Sequence, residues 1–195
     1  CMEHRGGCGG DSDSGDGAGI LCSIPWTFIY DELDLHLDIN EGKGLGMIFM
    51  PDDDIQIKLA KNICDKEAQK LNVKTKWREV PVDKNILGPL AKSNAPSIYQ
   101  WLVFPQNKNE TEIEFLLFQL RKIIEKKVRE KLSKADEFYF ASLSSKTVVY
   151  KGMVRSEILP KFYQDLQKEN FAVSFAIYHR RFSTNTLPKW PLAQP

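Results

Sequence analysis

Two features near the start of the chain could carry chemistry. Cys1 has a thiol and an α-amino group on one residue, and such a pair can serve as a nucleophile with its own general base. Residues 6–19 are rich in glycine and aspartate, as are many loops that bind phosphate or calcium. The competing interpretations are a cysteine at the cut end of a longer protein and a glycine-rich surface loop.

The glycine-rich stretch does not match the loops that it superficially resembles. A calcium loop starting at Asp11 would need a ligand where Gly15 stands, a glycine where Asp16 stands and a glutamate where Cys22 stands. The sequence also contains neither GxGxxG nor GxxxxGK[ST]. We therefore interpret this stretch as a loop whose glycines shape the turn before a strand at Ile20.

Composition narrows the classes of function further. The 195 residues are 42% hydrophobic and carry 27 basic against 26 acidic side chains, a formal net charge of +1. This balance predicts a globular domain with a core, and it argues against a nucleic-acid or membrane-surface partner. The four cysteines have no metal-ligand spacing, so we expect free thiols and no metal site. No apolar run is long enough for a membrane span, and no secretory leader is recognisable.

Hydrophobic periodicity predicts an α/β (α+β) chain with several antiparallel strands. We expect strands at 44–50, 75–82 and 97–104 and a long closing strand over 171–184. A helix is expected after Pro51, beginning near the aspartates 52–54.

Two further segments have mixed or local signals. In 110–132 an alternating start precedes a helical period, which predicts a strand that runs into a helix. The stretch 137–152 reads as a hairpin with its turn near Ser144–Lys146. We expect Met47, Phe49, Met50 and the run Phe138–Phe140 to belong to the core.

Motifs at both ends of the chain resemble one enzyme family. The segments EHRGG (3–7) and GDSDSGDGAGI (10–20) resemble the HRG…D…GI segment of class II glutamine amidotransferases, in the form found in the large chain of glutamate synthases. The segment YHRRFSTNTLPKWPLAQP (178–195) resembles the glutamine loop of the same family. SIPWTF, GMIFMPDDD, KWREVPVD and VVYKGMVRSEILPKFYQDLQ also match in order, so the resemblance covers nearly the whole chain. CMEHRGGCG and SIPW are most similar to the ferredoxin-dependent enzymes of cyanobacteria and plastids.

This resemblance implies the four-layer αββα sandwich of N-terminal nucleophile hydrolases, incomplete at both ends. Residues 1–195 would then be a single partial glutamine amidotransferase domain. The family's nucleophilic cysteine starts a strand and is followed by glycine, whereas Cys1 precedes the EHRGG segment, which the family places a few dozen residues later. We therefore expect the nucleophile upstream of Cys1, the His-Asn-Gly-Glu segment after Pro195, and no catalytic residue in the fragment.

The resemblance also implies part of a glutamine pocket. Arg181 matches the arginine that pairs with the α-carboxylate of glutamine, a task suited to the two parallel donors of a guanidinium. Ser183 and Thr184 would help to hold the bound amino acid, and Arg5 would lie near the nucleophile. The segment 185–191 matches the loop over bound glutamine, although Trp190 is equally compatible with ordinary packing. The lid residues are expected to be Asn185, Thr186 and Trp190.

The parent enzyme implied by this family hydrolyses glutamine and uses the ammonia to aminate 2-oxoglutarate reductively. FMN, a 3Fe-4S cluster and reduced ferredoxin would serve that second reaction, and none of their ligands is expected in this stretch. The implied location is the plastid stroma or the cyanobacterial cytoplasm. Two alternatives remain at this point: a pyridine-nucleotide-dependent glutamate synthase and a non-catalytic glutamine-binding module.

Overall fold

The computed structural model describes residues 17–36, 42–180 and 189–193, and it combines helices with antiparallel strands. The strands are β1 (Ala18–Ser23), β2 (Gly44–Met50), β3 (Lys74–Glu79), β4 (Ser97–Phe104), β5 (Tyr139–Ser144), β6 (Thr147–Gly152) and β7 (Ala176–His179). The α-helices are α1 (Trp26–Glu32), α2 (Asp54–Lys70), α3 (Pro89–Ser93), α4 (Glu110–Lys131) and α5 (Leu159–Phe162). The predicted α/β class is confirmed.

The chain divides into two compact units that are interleaved in sequence. The first unit comprises Cys1–Pro25, Val80–Ala95 and Val149–Pro195, and the second comprises Trp26–Glu79 and Pro96–Val148. Each unit has its own antiparallel sheet, of order β6-β1-β7 in the first and β3-β4-β2-β5 in the second.

Strand β2 lies in the interior of the second unit's sheet. It pairs with β4 from Gly44 opposite Val103 to Met50 opposite Ser97, and with β5 on its other edge. All seven of its residues are buried, which is why its sequence is apolar throughout rather than alternating. The expected core positions Met47, Phe49 and Met50 are confirmed, and Phe138 and Phe140 are buried as well.

Helix α2 begins where its aspartates predicted. Asp53 is the N-cap residue, and its Oδ1 accepts hydrogen bonds from the backbone N–H groups of Ile55 and Gln56, both at 3.0 Å. The residues that the helix buries, among them Ala60 and Cys64, recur at three- and four-residue spacing. One face of the helix is thereby packed into the core of this unit.

The strand predicted at the start of 110–132 is wrong, because the whole segment is helix α4. A capping box starts the helix: Asn109 Oδ1 accepts from the Glu112 N–H at 3.0 Å, and the Glu112 carboxylate accepts from the Asn109 N–H at 2.8 Å. Ile113 and Leu117 are buried four residues apart, whereas Phe115 is 62% exposed. The apparent alternation was therefore one helical face interrupted by an exposed aromatic residue.

The predicted hairpin over 137–152 is also wrong. Both strands exist, but β5 pairs with β2 whereas β6 belongs to the sheet of the first unit. The turn between the two strands is held by Glu114, whose Oε1 accepts hydrogen bonds from the Ser144 hydroxyl at 2.9 Å, the Ser145 hydroxyl at 2.7 Å and the Ser145 N–H at 2.6 Å. Local signals located the turn correctly, but the strand partners were decided by long-range packing.

The long closing strand predicted over 171–184 is shorter in the described residues. Strand β7 spans Ala176–His179, and residues 171–175 are irregular. Tyr163 helps to fix the neighbouring chain: it is fully buried, forms an isolated bridge with Val82, and donates its hydroxyl proton to the Lys151 carbonyl at 2.6 Å. Burial raises the pKa of this phenol well above its ordinary value, so it remains a hydrogen-bond donor.

Candidate functional site

The candidate site lies at the end of β7, where the strand meets the RRFSTNT motif. Strand β7 pairs with β1 in antiparallel register, with His179 opposite Gly19 and Ala176 opposite Cys22. Side chains alternate between the two faces of a strand. Tyr178 and His179 therefore belong to opposite faces of β7, and Arg180 follows the last residue of the strand.

The face that carries Tyr178 borders a cavity of about 560 Å³. Most of its wall is apolar, contributed by α5, by the chain that follows it and by β1. Its polar lining residues include Ser156, Glu157, His179 and Arg180. The apolar wall includes Ile20, Leu159, Leu166, Phe171 and Val173.

Two of these polar lining residues contact the guanidinium of Arg180. Its Nε donates a hydrogen bond to the Ser156 hydroxyl at 2.9 Å, and its Nη2 lies 3.7 Å from a carboxylate oxygen of Glu157. The arginine side chain is mostly buried, whereas that of Glu157 is 61% exposed. The contact with Ser156 thus orients Arg180 more firmly than the solvent-screened ion pair does.

Cys22 lines the same cavity but is not suited to nucleophilic chemistry. Its thiol is free and buried, and burial raises its pKa to about 11. The nucleophilic form of cysteine is the thiolate, and no nearby positive charge favours that form within the described residues. Cys22 therefore acts as a small apolar side chain on the cavity face of β1.

His179 is the last residue of β7, and it is also among the residues that line the cavity. Its Nε2 atom is buried, and it has no hydrogen-bond partner among the residues that the structure describes. The residue opposite in β1 is Gly19, so no cross-strand side chain flanks the imidazole on that side. This polar atom is the unusual feature of the strand end, because buried polar side-chain atoms are nearly always paired.

The chain that follows the motif is anchored by Trp190. This residue is 4% exposed, and its Nε1 donates to the Ala91 carbonyl at 3.1 Å. Its ring lies 5.7 Å from that of Phe162, and a Cβ added at Gly152 would come within 3.0 Å of its Cζ3. Trp190 is thus packed into the first unit, as the packing interpretation of the sequence proposed.

Lys151 fixes the same segment from β6. Its Nζ donates hydrogen bonds to the carbonyls of Pro191 and Ala193, at 2.9 and 2.8 Å, and the residue is 8% exposed. Sequence reasoning missed this residue. A lysine inside the apolar run VVYKG is the signal that could have identified it, since a lysine in a buried strand needs dedicated acceptors.

The other predicted site residues lie outside the described residues. These are Cys1, Arg5, Arg181, Ser183, Thr184, Asn185 and Thr186. The structure therefore places the two ends of the motif, at Arg180 and at Trp190, and leaves the glutamine contacts as predictions. Within the described ranges, no cluster of three or more histidine, cysteine or acidic side chains is arranged to hold a metal ion. The helices of those ranges include none with the length and apolarity that a membrane crossing requires.

The chain is similar to known proteins along its whole length. The profile of the glutamine amidotransferases class-II family matches residues 1–195. The ferredoxin-dependent glutamate synthase of Cyanidium caldarium is 46% identical over 200 residues, which cover 100% of this chain and 13% of that protein. The chloroplastic enzyme of Oryza sativa is 47% identical over 201 residues, and ferredoxin-dependent glutamate synthase 1, chloroplastic/mitochondrial, of Arabidopsis thaliana is 48% identical over 200, each covering 100% of this chain and 12% of the relative.

The family assignment agrees with the antiparallel sheets and helices described above. The class-II domain is an N-terminal nucleophile hydrolase fold, which confirms the predicted fold family. The chain spans about an eighth of the length of these relatives. Since the family profile covers every residue of the chain, the chain belongs to the class-II glutamine amidotransferases.

Proposed function

We propose that this chain is the glutamine-hydrolysing domain of a ferredoxin-dependent glutamate synthase. The observation that carries the proposal is 46–48% identity along the whole chain to relatives with that name. Their names favour ferredoxin over a pyridine nucleotide as the electron donor. The chloroplastic relatives favour the plastid stroma as the location, and a relative from Synechocystis favours the cytoplasm of a cyanobacterium as the alternative.

In the proposed reaction a cysteine thiolate attacks the side-chain amide carbon of glutamine. The C–N bond breaks, ammonia leaves after gaining a proton, and water hydrolyses the resulting thioester to glutamate. The ammonia then condenses with the keto carbon of 2-oxoglutarate, whose oxygen leaves as water, and two electrons and two protons reduce the resulting imine to a second glutamate. We do not assign the nucleophile to Cys1, because only Met2 separates it from EHRGG, nor to Cys22, because burial raises the pKa of its thiol.

We assign the binding of glutamine to the segment that follows β7. The Arg181 guanidinium would pair with the α-carboxylate, Ser183 and Thr184 would hold the amino acid, and Arg5 would favour the thiolate of the nucleophile. Asn185 and Thr186 would cover the bound substrate, while the buried Trp190 would anchor the end of that cover.

We propose that the glutamine pocket is separate from the cavity that Arg180 lines. Arg180 faces the apolar cavity, where it is bound to Ser156. The next residue of an extended strand would fall on the other face. The cavity wall is also too apolar to suit a zwitterionic amino acid. We therefore assign the cavity beside Arg180 no role in binding glutamine.

The cofactors of the second reaction are proposed to lie in other parts of the parent enzyme. A 3Fe-4S cluster requires cysteine thiolates, and the described cysteines, Cys22 and Cys64, are both buried and lie in different units. The described residues thus do not fit the cluster, and they show no site that we would assign to FMN. Ferredoxin would deliver its electrons to those other parts.

The experiment that tests the proposal is the replacement of Arg181 in a full-length enzyme that carries this domain. Arg181→Ala should lower kcat/KM for glutamine at least about a hundredfold, roughly 3 kcal/mol, because the buried carboxylate loses both donors. Arg181→Lys should recover only part of this loss, since it cannot form two parallel bonds. Glutamate synthesis from added ammonia should persist in both variants.

Two arginines provide matched controls. Arg180→Ala should lower kcat/KM for glutamine by less than about tenfold, because the Arg180 guanidinium contacts Ser156 at the cavity. Arg155 is exposed, and Arg155→Ala should have no measurable effect. A silent Arg181→Ala together with a damaging Arg180→Ala would overturn both the register and the assignment of the glutamine carboxylate.

A further inference from the structure

Lys151 is a buried cation in a strand that does not need one. The residue is 8% exposed and lies in β6 between the buried residues Tyr150 and Gly152. An ammonium group loses its hydration when it is buried, so it destabilises the fold unless acceptors replace the lost water. A methionine of similar length would fill the same space without that loss. The presence of a lysine here therefore draws attention to the groups that its amine contacts.

The Lys151 amine contacts the backbone of a segment that is distant in the chain. Its Nζ donates hydrogen bonds to the carbonyls of Pro191 and Ala193, at 2.9 and 2.8 Å. These acceptors lie 40 and 42 residues after Lys151. Hydrogen bonds from a charged donor are roughly twice as strong as neutral ones. The two bonds therefore fix the backbone at two alternate positions, whichever side chains those positions carry.

Lys151 is itself held in place by its surroundings. Tyr163 is fully buried and donates its hydroxyl proton to the Lys151 carbonyl at 2.6 Å. The adjacent residue Gly152 lies against the ring of Trp190, since a Cβ added there would come within 3.0 Å of Trp190 Cζ3. Two contacts of different kinds thus hold residues 189–193: Trp190 packs by its ring, whereas Lys151 binds main-chain oxygens.

The segment that Lys151 binds has a place in the proposed reaction. Residues 178–195 resemble the glutamine loop of the family, and residues 189–193 are the C-terminal end of that loop. A displacement of about 1 Å in a substrate site can lower the rate on the order of a hundredfold. A contact that fixes the end of a substrate loop is therefore expected to affect how well the substrate is held.

We infer that Lys151 is a positioning residue for the hydrolysis of glutamine. Its ammonium group fixes the main chain at Pro191 and Ala193, and it thereby sets the position in which the substrate loop ends. This inference rests on the proposed function. The residue takes no part in breaking the C–N bond, and it acts only through residues 189–193.

The test compares Lys151→Met with Lys151→Arg in the full-length enzyme. Lys151→Met keeps the length of the side chain and removes its donors. It should raise KM for glutamine about tenfold and leave kcat within about threefold, because the substrate is held less well while the reacting groups are unchanged. Lys151→Arg keeps a charged donor and should recover part of the lost affinity. Glutamate synthesis from added ammonia should be normal in both variants.

Tyr150→Phe is the matched control, because it removes a buried hydrogen bond from the residue next to Lys151. The Tyr150 hydroxyl donates to Asp165 Oδ2 at 3.2 Å. Loss of this bond should lower the free energy of unfolding, but it should leave KM for glutamine unchanged. A general loss of stability in this strand is thereby separated from the loss of the contacts to Pro191 and Ala193.

Hydrogen exchange reports whether the segment itself is released. The N–H groups of Leu192 and Ala193 donate to the Lys189 carbonyl, and they should exchange faster in Lys151→Met but not in Tyr150→Phe. Unchanged exchange in Lys151→Met would overturn the inference. So would a KM for glutamine that stays the same although exchange rises.

A structural role would give a different pattern of activities. Equal losses of glutamine-dependent and ammonia-dependent synthesis in Lys151→Met, or the same rise in KM in Tyr150→Phe, would indicate such a role and overturn the inference. If Arg181→Ala lowers glutamine turnover but Lys151→Met does not raise KM, only this inference fails. If Arg181→Ala is silent, the assignment of glutamine to this segment fails first, and the inference fails with it.

Discussion

Trp190 anchors the C-terminal end of the predicted substrate loop, residues 189–193, and its truncation should release that segment. Truncation of a buried tryptophan costs about 3–5 kcal/mol, and the hydrogen bond to the Ala91 carbonyl adds about 1 kcal/mol. We take about 4 kcal/mol as the loss in Trp190→Ala. If the segment opens locally, this corresponds to a roughly thousandfold increase in its open population.

Hydrogen exchange of the full-length enzyme, followed by mass spectrometry, can measure this population. The N–H groups of Leu192 and Ala193 both donate to the Lys189 carbonyl, at 3.0 and 3.2 Å, and report directly on the segment. Their exchange should accelerate up to about a thousandfold in Trp190→Ala. Leu192→Ala is the matched control, because this side chain is 42% exposed, and it should change exchange by less than about tenfold.

A second substitution isolates the packing contact itself. Gly152→Ala would place a methyl group 3.0 Å from Trp190 Cζ3. In the wild-type background it should lower the free energy of unfolding by about 1–3 kcal/mol. This cost should disappear in Trp190→Ala, where the colliding ring is gone. Equal costs of Gly152→Ala in both backgrounds, or unchanged exchange in Trp190→Ala, would refute the anchoring contact.

Three further predictions concern stability and reactivity. Asp65 accepts hydrogen bonds from Thr75 Oγ1 and from the indoles of Trp77 and Trp101, at 2.8–3.1 Å. Asp65→Ala should therefore lower the free energy of unfolding by about 3 kcal/mol and the Tm, measured by calorimetry, by roughly 6–12 °C. A Tm shift below about 2 °C would contradict this prediction. Burial alone would raise the pKa of Glu114, but hydrogen bonds from the two serines of the β5–β6 turn outweigh it and hold the pKa below the ordinary 4.5. The ionised Glu114 carboxylate stabilises the fold at pH values above 4.5, the ordinary pKa of a glutamate. The difference in unfolding free energy between wild type and Glu114→Gln should therefore narrow as the pH falls below about 4.5. A difference that stays constant with pH would argue against these hydrogen bonds. Because burial raises the Cys22 thiol pKa to about 11, iodoacetamide at pH 8 should label this residue only after unfolding, and rapid labelling of the native protein would contradict its burial.

Sequence alone determined the elements whose signals are local. Strand β2 was predicted because an apolar run ends at Pro51, and helix α2 because aspartates precede a helical period. Both signals come from neighbouring residues, through local backbone hydrogen bonds and hydrophobic periodicity. They can therefore be recognised without knowing which distant residues pack against the segment. The family was also predicted from motifs, since the segment YHRRFSTNT is long and specific.

Tertiary structure alone decided which strands pair and which side chains become site residues. The two-residue gap between β5 and β6 is compatible with a hairpin, yet β5 gains a longer apolar partner in β2, and Glu114 binds the turn. Helix α4 begins at a capping box, and the apparent alternation of residues 113–117 did not reveal that start.

The same limit applies to the candidate site. A histidine in a sequence carries no sign that its Nε2 will be buried without a hydrogen-bond partner among the described residues, and a lysine carries none that two carbonyls will lie within 2.9 Å of its Nζ. These properties depend on groups that are distant in the chain: Gly19 lies opposite His179, and Ala193 is 42 residues from Lys151. Burial and hydrogen-bond pairing are created only when the chain folds, which is why motifs identified the family and the structure was needed to assign roles to Lys151 and Trp190.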